Sequence, residues 1–118
     1  MQKDVIIGGR SYTMRASALI PRQYRYKFGR DLIQDMQTIQ KEADKAKKDP
    51  ASSISPESLT CFENIAWLML KAGGEDVKES PDEWLDSLDG VFDVYSALPE
   101  MLELYGLNLK TTAKPAKK

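Results

Sequence analysis

The chain has 118 residues, 42% of them hydrophobic and 30% charged, with a net charge of −1 and no histidine. That length supplies one modest core and little room for a second domain. No apolar run is long enough to span a bilayer and no basic-then-apolar leader follows Met1, so a cytosolic protein with no membrane partner is expected. Without histidine, the usual neutral-pH general base and the commonest metal ligand are both missing.

The small net charge hides a strong asymmetry. Residues 1–30 carry +6, residues 31–109 carry −11, and residues 110–118 add four lysines. A chain so divided is suited to attract a charged partner or copies of itself, because opposite patches steer association without dictating a fold.

The first element is expected from DVIIGGRSYTM, where two β-prone runs flank Gly8-Gly9, the tight-turn chemistry used when φ must be positive. This reads as a β-hairpin over residues 4–15. A phosphate-cradling glycine loop needs longer glycine spacing and a helix starting at once, and neither follows.

From Pro21 the period becomes helical: Tyr24, Phe28, Leu32, Met36 and Ile39 recur along one stripe and mark a core face. Pro21 suits the first turn, and Gly29 inside the pattern implies close packing or a kink. The helix is expected to run on into QKEADKAKKD, charged around its circumference and therefore solvated.

Residues 49–55, opening DPASSISP, form an internal linker. Ser55-Pro56-Glu57 is a cap, a first-turn proline and an acid placed to favour the helix dipole. The helix it starts is apolar on most sides from Leu59 to Leu70, as a central helix should be, and Gly73-Gly74 stops it. Cys61, the single cysteine, lies in its run CFENIAWLML, excludes an intramolecular disulfide and reads as a small buried hydrophobe.

Ser80-Pro81-Asp82-Glu83 repeats the start signal as a capping box, and Trp84, Leu85 and Leu88 give the short helix after it a buried side. The last pattern carries Phe92, Tyr95, Leu98, Met101, Leu102 and Tyr105 before Gly106. Pro99 within it either kinks one helix or starts another. The expected architecture is an α+β domain, predominantly helical, over residues 1–109: a hairpin, about four helices within 21–106, and a flexible basic tail over 110–118.

Little here suggests catalysis. Asp82 with Asp86 and Asp89 with Asp93 are each one helical turn apart, yet they alternate with the apolar stripe where a solvent face belongs. No enzyme activity, cofactor or metal is expected. In RQYRYKFGR, winding at 100° per residue sends Tyr24 and Phe28 to the core and gathers Arg22, Tyr26 and Arg30 on the opposite side. One outward aromatic on an acidic chain of pI about 5.5 falls short of a nucleic-acid footprint. Arginine and tyrosine are favoured anchors for protein contact, so Arg22, Tyr26 and Arg30 are the candidate contact face.

The succession IIGGRSYTMRAS, PRQYRYKFGRDLIQDM, SPDEWLDSL, ALPEMLELYGLNLKTT and a lysine-rich end resembles the tail assembly chaperones of long-tailed bacteriophages and prophages of Gram-positive hosts. The resemblance covers nearly the whole chain and rests on short segments, with no catalytic signature among them. It implies a non-enzymatic factor in the host cytoplasm that binds the tape measure protein, keeps it soluble and helps the major tail (tube) protein assemble around it. It also implies self-association and absence from the mature virion.

Such chaperones are often made in two lengths by a backward ribosomal slip. Ala116, Lys117 and Lys118 can be encoded as GCA AAA AAG, which contains a slippery run, so these codons and the joint they form are the candidate frameshift site. By composition alone, 110–118 is an ordinary solvated end. A structural head–tail or tail-completion protein and a small nucleic-acid-associated regulator are the alternatives.

Overall fold

The computed structural model describes residues 2–90 and 92–107. In chain order these form β1 (Gln2–Ile7), β2 (Arg10–Arg15), α1 (Leu19–Phe28), α2 (Leu32–Lys48), α3 (Pro56–Ala72), α4 (Pro81–Asp86) and α5 (Val94–Leu104). The expected α+β, mostly helical architecture is observed. The tail over 110–118, with Ala116, Lys117 and Lys118, lies outside the described residues.

The hairpin forms because Gly8 and Gly9 turn the chain at φ 60° and 82°, the doubly positive geometry of a two-residue loop that matches strand twist. Val5 pairs with Tyr12 and Lys3 with Met14 in an antiparallel register, so Val5, Ile7, Tyr12 and Met14 share one buried face. That face lies on α3 and α5. The outer edge of β2 does not stay open: the Thr13 N–H donates to the Glu75 carboxylate at 2.6 Å.

The stripe of Tyr24, Phe28, Leu32, Met36 and Ile39 does face the core, but it spans two helices and not one. Gly29 at φ 69° closes α1 as a left-handed cap, and Asp31 opens α2 by accepting from the Gln34 N–H at 2.8 Å. The described chain therefore has five helices. Helix α1 begins at Leu19, two residues before Pro21, which still occupies the first turn. The charged end of α2 is packed on one side, since Gln40 and Ala43 are buried.

Helix α3 begins as its sequence demands, with the Ser55 hydroxyl accepting from the Ser58 N–H at 3.1 Å and Pro56 in the first turn. It touches β2, α1, α2, α4 and α5, and Ile65, Ala66, Met69 and Leu70 have no exposed surface. The Trp67 indole N–H reaches the Val77 carbonyl at 2.8 Å, tying the segment after α3 back onto it. Phe92 stacks on Phe62 and meets the edge of Trp84, which anchors α4.

At the start of α4 the capping box is modified. Ser80 accepts from the Glu83 N–H, while the Glu83 carboxylate reaches past Ser80 to the Glu79 N–H at 3.2 Å. Pro99 neither starts a helix nor ends one, because it lies inside the continuous α5. Lys3 on β1 forms ion pairs with Glu100 and Glu103 on α5. All seven elements contribute to a single hydrophobic cluster.

Candidate functional site

The outward side of α1 is built by the same periodicity that buries Ile20 and Tyr24. Leu19, Arg22, Gln23 and Tyr26 follow at i, i+3, i+4 and i+7, so they line one face. Leu19 is 55% exposed and Tyr26 80%, values that set them apart from a core whose large side chains are nearly all covered. The Arg22 guanidinium lies 5.8 Å from the Tyr26 ring centre. Helix α1 contains no acidic residue.

A groove of about 350 Å³ beyond the end of α1 holds a separate polar network. Arg30 lies past the Gly29 cap, so it does not continue the face of Arg22 and Tyr26. Its Nε and terminal nitrogen donate to the two oxygens of Asp35 at 2.7 and 3.1 Å, and Glu57 stands 3.4 Å away. The Tyr24 hydroxyl also donates to Asp35, at 2.7 Å. Burial alone would raise the Asp35 pKa, but the hydrogen bonds from Arg30 and Tyr24 outweigh it and hold the carboxyl below the usual range. Cys61 borders the same groove, and burial pushes its thiol up, away from the thiolate that nucleophilic chemistry needs. Every member of this network is answered by another, the arrangement of a structural clasp between α1, α2 and α3.

The second wall of the α1 face comes from far along the chain. Between α1, the end of β2 and the last turn of α3 runs a groove of about 210 Å³, lined by Arg15, Leu19, Gln23, Leu68, Lys71 and Ala72. The ammonium group of Lys71 lies 4.9 Å from the Trp67 indole centre, and that of Lys27 lies 5.6 Å from the same centre. The sequence reasoning above misses Leu19, Arg15 and Lys71. Leu19 was detectable as the i−7 partner of Tyr26 had the helix been started two residues earlier, whereas Lys71 meets α1 only through the tertiary fold.

Asp82, Asp86, Asp89 and Asp93 are all exposed. Asp82 and Asp86 share α4 one turn apart, whereas Asp93 caps α5 by accepting from the Tyr95 N–H and Asp89 lies outside any helix, so Asp89 and Asp93 do not form the helical pair their spacing suggested. No group of three His, Cys, Asp or Glu among the described residues is placed to hold a metal ion. Comparison with protein-family models, curated proteins and solved structures finds no match to this chain.

Proposed function

We propose that the chain is a protein-binding assembly factor, a tail assembly chaperone that holds the tape measure protein in soluble form while tube protein assembles around it. The observation that carries this reading is the exposed pairing of Leu19 and Tyr26 with Arg22 on a helix that is anchored to the core through Ile20 and Tyr24. Large apolar and aromatic groups flanked by arginine are the composition of protein-contact anchors. The resemblance of the segment succession to tail assembly chaperones supplies the partner. On this reading the chaperone acts in the host cytoplasm, self-associates and is left out of the virion.

Co-expression with the tape measure protein of the same genome tests the proposal. The tape measure protein should move from the insoluble to the soluble fraction and co-purify with the chain. Replacing Arg22 and Tyr26 by Ala should reduce that recovery. Arg30 is left intact because its removal would strand Asp35 in the clasp. Light scattering should show species larger than a monomer. A tape measure protein that stays insoluble and does not co-purify would refute the chaperone, and the chain's presence in purified virions would favour a structural tail protein.

The basic α1 face favours one second reading, a nucleic-acid-associated regulator. That reading requires binding to DNA or RNA at low salt that weakens steeply as salt rises.

A further inference from the structure

The geometry points to a defined occupant for the groove between α1, the end of β2 and the last turn of α3: an acidic amphipathic helix that seats apolar side chains on Leu19 and Leu68 and presents carboxylates to Arg15, Lys71 and Lys27. This deepens the protein-binding reading above and rests on it for the class of partner.

Shape is the first argument. Leu19 to Tyr26 spans about 10 Å, two helical turns, so a partner helix laid along it meets the face with residues at i, i+3/i+4 and i+7. The groove is lined by the apolar Leu19, Leu68 and Ala72 together with the cations Arg15 and Lys71. That layout matches a helix with an apolar stripe flanked by acids, and gives a purely hydrophobic helix no use for the flanks.

Charge is the second. Lys3, Arg30 and Lys78 each lie within salt-bridge distance of a carboxylate. Among the described residues, Arg15 and Lys71 form no such pair, and both line this groove. Lys27 and Lys71 are brought to the same indole, within 6 Å of its centre. Nucleic acid would answer the charge but would leave the apolar lining and Leu19 without a matching surface.

The test uses the full chain and two labelled synthetic peptides, read by fluorescence anisotropy. One is an amphipathic helix with leucine at i, i+3 and i+7 and glutamate on both flanks; the other replaces every glutamate by lysine. The acidic peptide should bind saturably and the basic one at least tenfold more weakly. The double variant Arg15→Glu, Lys71→Glu should lose at least tenfold in affinity for the acidic peptide, and Leu19→Ser should weaken it severalfold. Lys48→Glu, an equal kind of charge change at the exposed end of α2, should leave it within twofold. All these positions are exposed, and unchanged thermal unfolding confirms that each variant is folded.

No binding of the acidic peptide up to millimolar concentration overturns the inference. So does an equal loss from Lys48→Glu, which would mean unspecific charge attraction. Efficient competition by a single-stranded oligonucleotide overturns it in favour of nucleic acid. The peptides contain no tape measure sequence, so the two readings fail separately. Acidic-peptide binding with the expected variant pattern, but no rescue of the tape measure protein, removes only the chaperone. Rescue that survives Arg15→Glu, Lys71→Glu removes only the groove assignment.

Discussion

Replacing Gly73 by Ala should destabilise the protein, although the usual expectation for a glycine at ordinary backbone angles is the reverse. Gly73 caps α3 at φ −80°, a conformation alanine adopts freely. Removing a glycine from the unfolded chain would then stabilise by about 0.4–1 kcal/mol. A Cβ at this position, however, would lie 2.2 Å from the Thr13 carbonyl oxygen and 2.8 Å from its carbon. Ordinary contact begins more than 1 Å farther out.

The obstacle cannot swing aside, because it is backbone. Strand β2 is held by its ladder to β1, by Glu75 accepting from the Thr13 N–H, and by the buried Tyr12 and Met14 on either side. Relief requires the hairpin to part from α3. Overpacking of this kind costs about 1–3 kcal/mol and sometimes more, and a clash with pinned backbone belongs at the upper end, so a net loss of about 2 kcal/mol is expected.

Urea unfolding is the assay. With a slope of about 1–3 kcal/mol/M for a small domain, the midpoint should fall by about 1 M. Amide shift changes in nitrogen–proton spectra should centre on Thr13, Met14 and Glu75, which separates this mechanism from simple fraying of the helix end. An unchanged or raised midpoint would refute the reasoning. Arg15 and Lys71 lie on the two sides of this junction, so acidic-peptide binding should weaken in the same variant.

Tyr24→Phe keeps the packing of a fully buried ring but removes its donation to the Asp35 carboxylate, and should cost about 1.5–3 kcal/mol by urea unfolding at neutral pH. Asp35 has a folded-state pKa below its unfolded value of about 3.9, so its contribution is present above that pH and is lost as pH falls through the folded value. Urea midpoints should accordingly drop in acid, and Asp35→Asn should flatten the drop. Glu63 behaves oppositely: burial, with Asp82 adding to it, raises its pKa, so its ionised form opposes folding as pH rises. Glu63→Gln should therefore raise the unfolding midpoint at pH 7 and have little effect below pH 4, about the unfolded carboxylate range. Cys61 is buried with its pKa raised, and should resist alkylation by iodoacetamide in the native protein and react fully in denaturant, as mass spectrometry would show.

What was legible in the sequence was local chemistry. Gly8-Gly9 sets the hairpin because the turn needs two positive φ values, and Ser55-Pro56 and Ser80-Pro81 start helices because cap and first-turn proline act within a few residues of chain. The break at Gly29 was hidden because its flanking helices keep the apolar stripe in phase across the cap, so periodicity alone could not tell a kink from an end. Pro99 was undecidable for a related reason. A proline in a first turn and a proline within a helix are preceded by the same residues, and only the Asp93 cap places the start of α5. Gln40 and Ala43 looked solvated because their burial depends on packing against other parts of the fold, which no window along α2 contains.

The charge asymmetry shows the same boundary between local and tertiary information. The first thirty residues carry +6, but this is not the field they present. Lys3 is answered by Glu100 and Glu103 on α5, and Arg30 by Asp35 and Glu57 on α2 and α3. Those two cations fasten the ends of this N-terminal segment to the rest of the fold. Of the remaining five cations, Arg10 stays by the hairpin turn over Tyr12, while Arg15, Arg22, Arg25 and Lys27 are left on and around α1, where Lys71 joins them from a helix that belongs to the acidic part of the chain. Folding thus spends part of the basic excess on internal clasps and leaves Arg15, Arg22 and Lys71 near Leu19 and Tyr26. The salt sensitivity of any partner bound there should follow Arg15, Lys27 and Lys71, and should be indifferent to Lys3, whose charge is already met by α5.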